Sequence, residues 1–266
     1  MDSPSGLALF PCWHLPHMGI SCRKGIAERE QREAVLTPER NKNIIRRWLV
    51  DVFTRADLDE ADELFTLNYA LHDPSFPHDV HGPEGIKRYV AAYRTAFPDL
   101  RVTVEDQLAE EDKVVTRWSV RGTHSGEFLG LAPTGDEVTV SGIEFDRIVG
   151  GRIDETWVGY HPFAGPMPDP ERVERGSAAV AEAFPDLRTA EADSVKEGDK
   201  VAFRWLLSGT HEGGFMGVAA TGRRVEVMGM DIVRVADGEI VEHWGEFDAM
   251  GLLRQIGVIP PIRGSL

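Results

Sequence analysis

The sequence repeats itself at a spacing of 87 residues, and this duplication limits the folds open to the chain. Residues 83–161 align with residues 170–248 without a gap, and 35 of the 79 aligned pairs are identical. The clearest shared blocks are AFPDLR, D-K-V-x-x-R-W, G-T-H-x-G-x-F-x-G-x-A-x-T-G and R-x-x-x-G-x-I-x-E-x-W. Chance does not produce such agreement, so the fold must contain two related units.

Each copy has the same predicted anatomy. A short helix, at about 83–96 and again at 170–183, ends at Phe-Pro-Asp because proline disfavours helical backbone in the residue before it. Three or four segments rich in β-branched and aromatic residues follow. Gly150-Gly151 and Asp237-Gly238 separate two such segments and are typical of hairpin turns. The pattern predicts a bent antiparallel sheet with a helix packed on one face.

The flanks of the two copies differ. Before the first copy, Thr37-Pro38 is typical of a helix start, and a second helix is predicted from Asp57 or Asp59 through Leu64. An apolar stripe in the first helix consists of Ile44, Ile45, Trp48, Leu49, Val52 and Phe53. Before the second copy there is only a proline-rich segment, Gly159–Asp169, whereas a C-terminal helix at 249–256 follows the second copy alone.

Composition excludes several classes of function. A formal net charge of −15 disfavours nucleic acids and anionic membrane surfaces, because binding there requires clustered lysine and arginine. No run approaches the roughly 18 apolar residues of a membrane span. Asp2 near the start of the chain, and Pro11 and Pro16 within the apolar run that follows, do not fit a secretion signal. We therefore expect a cytoplasmic protein. The two cysteines, Cys12 and Cys22, and the scattered histidines match no metal-ligand spacing, so neither metal nor cofactor is expected.

The order of motifs resembles the SnoaL-like polyketide cyclase, or ester cyclase, family of the NTF2-like superfamily. The motifs are Y-x-x-H-D-P at Tyr69–Pro74, G-x-E-G at Gly82–Gly85, AFPDLR, GTH-x-GEF-x-G, PTG, G-x-I-x-E-x-W and GLLRQIGV. The resemblance implies an α+β cone, a curved antiparallel sheet with packed helices around a deep apolar cavity, in two tandem copies. It divides the chain into a first domain at 37–165 and a second at 166–260 that lacks the N-terminal helix pair. Residues 1–36 are expected to be a disordered extension and residues 261–266 a tail.

The resemblance also places an acidic residue in or near E-x-W-x-x-x-D on the last strands. In the second copy the motif is complete, with Asp248 at its end, and alternation predicts that Glu242, Trp244 and Asp248 share a strand face. In the first copy His161 stands at the position of Asp248. Either residue could act as a base, and either could instead cap the next segment.

Three further residues complete the candidate catalytic set. Glu144 and Asp231 are partners in the duplication, and each lies in an otherwise apolar strand, where it faces either solvent or the cavity. The solvent-facing alternative is the commoner arrangement, and Asp146-Arg147 is expected to be a surface pair. His72 lies where the resemblance places the cavity mouth, although Asp73-Pro74 is also typical of a turn. The aromatic candidates for the cavity wall are Trp157, Trp244, Tyr69 and Trp48.

These residues favour an enzyme that binds a small hydrophobic, polyketide-like molecule and uses cofactor-free acid/base chemistry through an enolate. Intramolecular aldol cyclisation is the leading hypothesis. An isomerase or a water-activating hydrolase in the same cavity, and a noncatalytic ligand-binding or scaffold protein, are the alternatives. For the two copies we expect an intramolecular pseudo-dimer, the other arrangement being one in which Asp248 or the C-terminal helix completes the first cone. A homodimer of the whole chain stays open.

Overall fold

A computed structural model describes residues 37–76, 78–161, 179–215 and 217–259, with the side chain of His161 excepted. The predicted extension at 1–36, the tail at 261–266 and the first part of the predicted helix at 170–183 therefore lie outside the described residues. The remainder of that helix is seen as helical backbone at 179–183.

The N-terminal helices form as the sequence predicts. Helix α1 (Pro38–Arg47) starts at Thr37, whose side chain accepts a hydrogen bond from the Arg40 amide at 3.3 Å. It continues into a π-helical segment, Trp48–Thr54, and a short helix α2 follows at Glu60–Leu64. The entire predicted apolar stripe is buried, which confirms that this face packs on the core.

The first copy builds a six-stranded sheet. Its strands are β1 (Phe65–His72), β2 (Val80–His81), β3 (Arg101–Glu110), β4 (Lys113–Thr123), β5 (Glu137–Val149) and β6 (Arg152–His161). Their order is β2-β1-β6-β5-β4-β3, and helix α3 (Gly82–Ala96) connects β2 to β3. The hairpin at Gly150-Gly151 is confirmed.

One pairing departs from the expected antiparallel sheet, because β1 runs parallel to β6. Sequence patterns predicted neither this strand nor its direction. The two strands lie about 80 residues apart in the chain, so no hairpin turn dictates how they pair.

The second copy builds a four-stranded sheet with the same local connections. It contains β7 (Arg188–Glu197), β8 (Lys200–Thr210), β9 (Arg224–Ala236) and β10 (Glu239–Phe247), in the order β10-β9-β8-β7. Helix α4 (Ala249–Ile256) follows and packs against β9. In the described part of this copy, nothing corresponds to β1, β2, α1 or α2.

The two faces of the first sheet have different neighbours. On β5, Glu144 and Asp146 point to the face covered by the helices, whereas Ile143 and Phe145 point away from it. The latter pair belongs to an apolar cluster shared with the second sheet, made of Leu108, Val115, Ile143, Phe145, Val195, Ala202, Met230 and Ile232. The two copies therefore pack sheet against sheet, and the cavity lies on the opposite side of the first sheet.

The contacts between the sheets obey an approximate two-fold symmetry. Lys113 pairs with Asp193 at 2.6 Å, and their duplication counterparts, Lys200 and Asp106, pair at 2.5 Å. The Arg117 guanidinium lies 5.0 Å from the Trp244 ring centre, and the counterpart Arg204 lies 3.9 Å from that of Trp157. Each contact recurs with the roles of the copies exchanged, as in an isologous dimer interface. The arrangement is an intramolecular pseudo-dimer.

Candidate functional site

A cavity of about 280 Å³ lies inside the first copy, between the helices and the curved sheet. Most of its wall is apolar or aromatic. Among its lining residues, Glu144 and Arg121 have ionisable side chains, and Ser75, Tyr89, Tyr93 and Tyr160 contribute hydroxyl groups. At the mouth, Leu129, Leu131 and Val138 line the cavity while remaining exposed to solvent. The site is thus an apolar chamber with few polar groups, as is usual for small-molecule sites.

Glu144 is the buried carboxyl group that faces this chamber. It is 3% exposed, and its Oε1 atom has no hydrogen-bond partner among the described residues. Burial, and then the nearby charge of Asp146, raise the pKa of Glu144 well above its usual range. Glu144 therefore faces the cavity and not solvent, which were the two orientations that the sequence left open.

Asp146 lies two residues further along the same strand face. It is 1% exposed, and its Oδ1 atom accepts a hydrogen bond from the Thr156 hydroxyl at 2.7 Å. Burial raises the pKa of Asp146 to about 7, although the Thr156 hydroxyl works against this shift. The expected surface pair with Arg147 is wrong, because alternation turns Arg147 to the other face, where it pairs with Asp154 and Glu155.

Two indole groups in the wall also lack partners. Trp48 and Trp118 line the cavity, and the buried Nε1 donor of each has no hydrogen-bond acceptor among the described residues. The indole of Trp118 crosses the neighbouring strand at Gly142, where any Cβ atom would collide with the ring. Buried donors without acceptors are costly, and these two N–H groups belong to residues that line the cavity.

A network around Asp73 forms another part of the wall. Its carboxylate accepts hydrogen bonds from the hydroxyls of Tyr89 at 2.7 Å, Tyr160 at 2.9 Å and Tyr93 at 3.5 Å, and from the Ser75 amide at 2.8 Å. Burial raises the pKa of Asp73 against these hydrogen bonds. Burial, followed by the charge of Asp73, raises the pKa of each tyrosine well above its usual value. The three phenols therefore stay protonated and act as donors.

The second copy also contacts this region. Arg254 in α4 donates a hydrogen bond through Nη1 to the Pro74 carbonyl oxygen at 2.8 Å. Pro74 lies between Asp73 and Ser75, so the far end of the chain supports the loop that carries the Asp73 carboxylate.

The other predicted site residues lie elsewhere. Asp248 is not on the predicted strand face: β10 ends at Phe247, and the Asp248 carboxylate caps α4 by accepting from the Gly251 amide at 2.6 Å. His161 ends β6 opposite Ser141, and its side chain lies outside the described residues. His72 lies within ion-pair distance of Asp79 at 3.0 Å and Glu155 at 3.1 Å, and it is not among the cavity-lining residues.

Of the four aromatic residues predicted to line the cavity, one lies in its wall and three do not. Trp48 lines the cavity. Trp157 and Trp244 do not, since they pack between the two sheets. Tyr69 is fully buried in the core, with its ring 4.5 Å from that of Phe65. Asp231 lies on the outer face of the second sheet, where it bonds to Trp205 and His243.

Some residues of the site were not predicted, although the sequence contains a pattern that connects them. Tyr89 and Tyr93 are four residues apart on a helix and so share a face. Asp146 is two residues from Glu144 on a strand and so shares its face. No local pattern connects Asp73 or Tyr160 to them, because the network joins residues up to 87 positions apart.

The buried carboxyl groups make stability depend on pH. Because burial raises their pKa values, the folded chain keeps protons that the unfolded chain releases above about pH 4. The unfolding free energy therefore falls as the pH rises through about 7. We expect urea unfolding at pH 5.5 and pH 8 to show this loss, and Asp146→Asn to reduce it. An equal loss in the variant would contradict the assignment of this titration to Asp146.

Two general properties of the described residues bear on the kind of site. No helix in the described ranges is long and apolar enough to cross a membrane. Those ranges also contain no cluster of three or more His, Cys, Asp or Glu side chains arranged to hold a metal ion.

Comparison with known proteins identifies relatives. The chain is 33% identical over 91 residues to the aklanonic acid methyl ester cyclase DnrD of Streptomyces peucetius, which is 31% of this chain and 63% of DnrD. A SnoaL-like polyketide cyclase structure from Jannaschia sp. CCS1 is 25% identical, with a TM-score of 0.43, and the match covers 46% of this chain and 86% of that one. IdmH of Streptomyces antibioticus is 30% identical, with a TM-score of 0.40, and its match covers 45% and 91%.

The family model for SnoaL-like polyketide cyclases matches twice, at residues 43–161 and 158–256. These two matches span most of the chain and coincide with the two sheets. The fold is accordingly the α+β NTF2-like cone in two tandem copies, the second without the N-terminal helix pair. The chain belongs to the SnoaL-like polyketide cyclase family.

Proposed function

We propose that the first copy is a cofactor-free enzyme that performs acid/base chemistry through an enolate on a largely apolar small molecule. Intramolecular aldol closure of a polyketide-like chain is the reaction that its groups fit best. The observation that carries the proposal is Glu144, a buried carboxyl group that faces an apolar chamber with one oxygen unpartnered among the described residues.

Glu144 is the proposed base. Together with Asp146 it forms a coupled pair of carboxyl groups, whose first ionisation near pH 7 follows from the pKa of about 7 for Asp146. Above that pH Asp146 carries the first negative charge. Burial and this charge raise the pKa of Glu144 well above its usual range, and Glu144, the member in contact with the chamber, acts as the base in its ionised form. A desolvated carboxylate is a stronger base than one in water, so it can remove a proton from carbon flanked by carbonyl groups.

The indole donors of Trp48 and Trp118 are the proposed partners of the developing oxyanion. When the C–H bond breaks, its proton passes to Glu144 and its electron pair moves onto the carbonyl oxygen. An N–H group already fixed beside that oxygen stabilises the charge without rearrangement. The enolate carbon then attacks a second carbonyl carbon in the same molecule, and the new alkoxide takes a proton from Glu144. The ring closes with no net loss of atoms.

The nature of the wall supports a polyketide-like substrate. Aromatic and aliphatic side chains surround the few polar groups, which suits a flat hydrophobic body carrying several carbonyls. The related DnrD bears the name of an aklanonic acid methyl ester cyclase, which supports a cyclisation substrate that carries an ester. An isomerase would use the same base and the same donors, but would return the proton to a different carbon.

The apolar wall also favours a second candidate, noncatalytic storage or transport of a hydrophobic molecule. Both candidates predict binding, and only the enzyme predicts chemistry. The test is NMR observation of linear aromatic poly-β-ketone methyl esters mixed with the protein at pH 7.5 in D₂O. Ring closure and deuterium uptake at the activated carbons are expected above the buffer rate. Binding without either change would support the noncatalytic candidate.

A further inference from the structure

The four residues that follow β1 form a turn in the cavity wall, called here the wall turn: Asp73, Pro74, Ser75 and Phe76. The Phe76 amide donates to the Asp73 carbonyl oxygen at 3.0 Å, and the Ser75 amide donates to Oδ1 of Asp73 at 2.8 Å. Between them, the Pro74 carbonyl oxygen accepts a hydrogen bond from Nη1 of Arg254 at 2.8 Å. A side chain of the second copy, 180 positions away in the sequence, thus holds the backbone of a turn in the first.

The wall turn fixes several groups of the cavity. Ser75 lines the cavity, and its hydroxyl is hydrogen-bonded to that of Tyr160, which also lines it. The ring of Phe76 lies 5.4 Å from the ring of Tyr89. The Asp73 carboxylate accepts hydrogen bonds from all three phenols described above. A shift of the wall turn would therefore displace polar and aromatic groups that surround a bound molecule.

Helix α4 offers Arg254 a fixed position beside the wall turn. Leu252 and Ile256 are buried in a cluster with residues of β9, so the helix is anchored on the second sheet. In its last turn, the Gln255 carbonyl oxygen accepts a hydrogen bond from Nη1 of Arg223 at 3.2 Å. The sequence supplies such a helix after the second copy alone. In this chain the second copy therefore provides the support.

Charges at the start of α4 act on the same region. Burial raises the pKa of Asp248, and the Gly251 amide lowers it. The Arg254 guanidinium also lowers this pKa, whereas the charge of Asp73 raises it. The carboxylates of the two copies thus repel each other when both are ionised, and Arg254 offsets the repulsion. Loss of Arg254 removes this compensation together with the hydrogen bond to the wall turn.

We infer that Arg254 is a positioning residue for the first cavity: it holds the wall turn in place, and the second copy thereby determines how tightly the first copy binds its ligand. The inference deepens the proposed function, since it rests on this cavity being the site of a largely apolar ligand, but it requires no chemistry there. The second copy is then a working part of the binding site, although its own residues do not line the cavity.

The first test needs no ligand. Amide hydrogen exchange of Ser75, followed by NMR in the full chain, reports opening of the wall turn. Arg254→Ala is expected to speed this exchange at least about tenfold, the effect of losing a hydrogen bond to a charged group. Arg254→Lys keeps a cationic donor and is expected to restore most of the protection. Arg223→Ala is the matched control, because it weakens the end of α4 without touching the wall turn.

The second test measures the Kd of 1,8-dihydroxyanthraquinone by quenching of tryptophan fluorescence. We expect Arg254→Ala to raise Kd at least about fivefold and Arg223→Ala to leave it unchanged. In a Ser75→Ala background the effect of Arg254→Ala should shrink, because the two residues act through one turn. Unchanged Ser75 exchange and unchanged Kd in a folded Arg254→Ala chain would overturn the inference. Faster Ser75 exchange in a chain that binds no probe would support the positioning role and count against the proposed function.

Discussion

Glu144→Gln is expected to lower the rate of ring closure in the first cavity by roughly 10²–10⁴-fold, the usual contribution of a positioned acid or base. Glutamine keeps the size and polarity of the side chain but cannot accept a proton from carbon. Because the carboxyl is buried and its pKa is raised, its replacement by a neutral amide removes no ionic interaction that the fold requires at neutral pH. We therefore expect folding and ligand binding to persist while kcat falls.

Glu239→Gln provides the matched control, since this exposed glutamate lies at the β9–β10 turn of the second copy, whereas the cavity is lined by the first. Its kcat and KM should equal those of the unmodified chain. In the unmodified chain, kcat should rise with pH as Glu144 ionises, well above the pH at which an exposed glutamate does so, because burial and the charge of Asp146 raise its pKa. Ring closure that persists in Glu144→Gln at its original rate would remove Glu144 from the mechanism.

Phe145→Ala is expected to destabilise the whole described fold, not the first copy alone. Phe145 is 1% exposed and packs in the cluster between the sheets, so its truncation should cost about 3–5 kcal/mol. Its counterpart Ile232 is fully buried in the same cluster, and Ile232→Ala should cost about 2–5 kcal/mol. Since both copies contribute to one core, each variant should shift a single unfolding transition measured by urea denaturation.

Ile240→Ala is the matched control for this experiment. Ile240 is 64% exposed, so the same substitution there should change the unfolding free energy by no more than about 0.5 kcal/mol. Two separate transitions, with Phe145→Ala affecting one and Ile232→Ala the other, would mean that the copies unfold independently.

Local sequence patterns predicted several helix and turn features of this fold correctly. The Thr37 cap, the buried stripe of the first helix and the two hairpin turns each depend on a few neighbouring residues, and each is present. The parallel pairing of β1 with β6 was not predictable in this way, because it depends on how distant segments pack.

The candidate site was predictable only in part. Glu144 stood out as a charged residue in an apolar strand, but period-two alternation alone does not tell which face is covered by helices. Asp248 stood out through a family motif, yet its carboxylate caps α4. The Asp73 network could not be foreseen, because it assembles a loop, a helix and the last strand of the sheet by tertiary packing.

The symmetric contacts between the sheets have a consequence for how such a protein evolves. In a dimer of separate chains, dilution breaks the interface and every mutation appears twice. Here both partners are encoded in one gene, so each half meets the other at a fixed, high effective concentration. A substitution on the outer face of one half also leaves the outer face of the other half unchanged. The Lys–Asp and Arg–Trp pairs have stayed alike in the two halves, while Thr156 and Val158 on one outer face stand against His243 and Gly245 on the other. Fusion thus lets the shared interface be inherited unchanged while each outer face diverges alone.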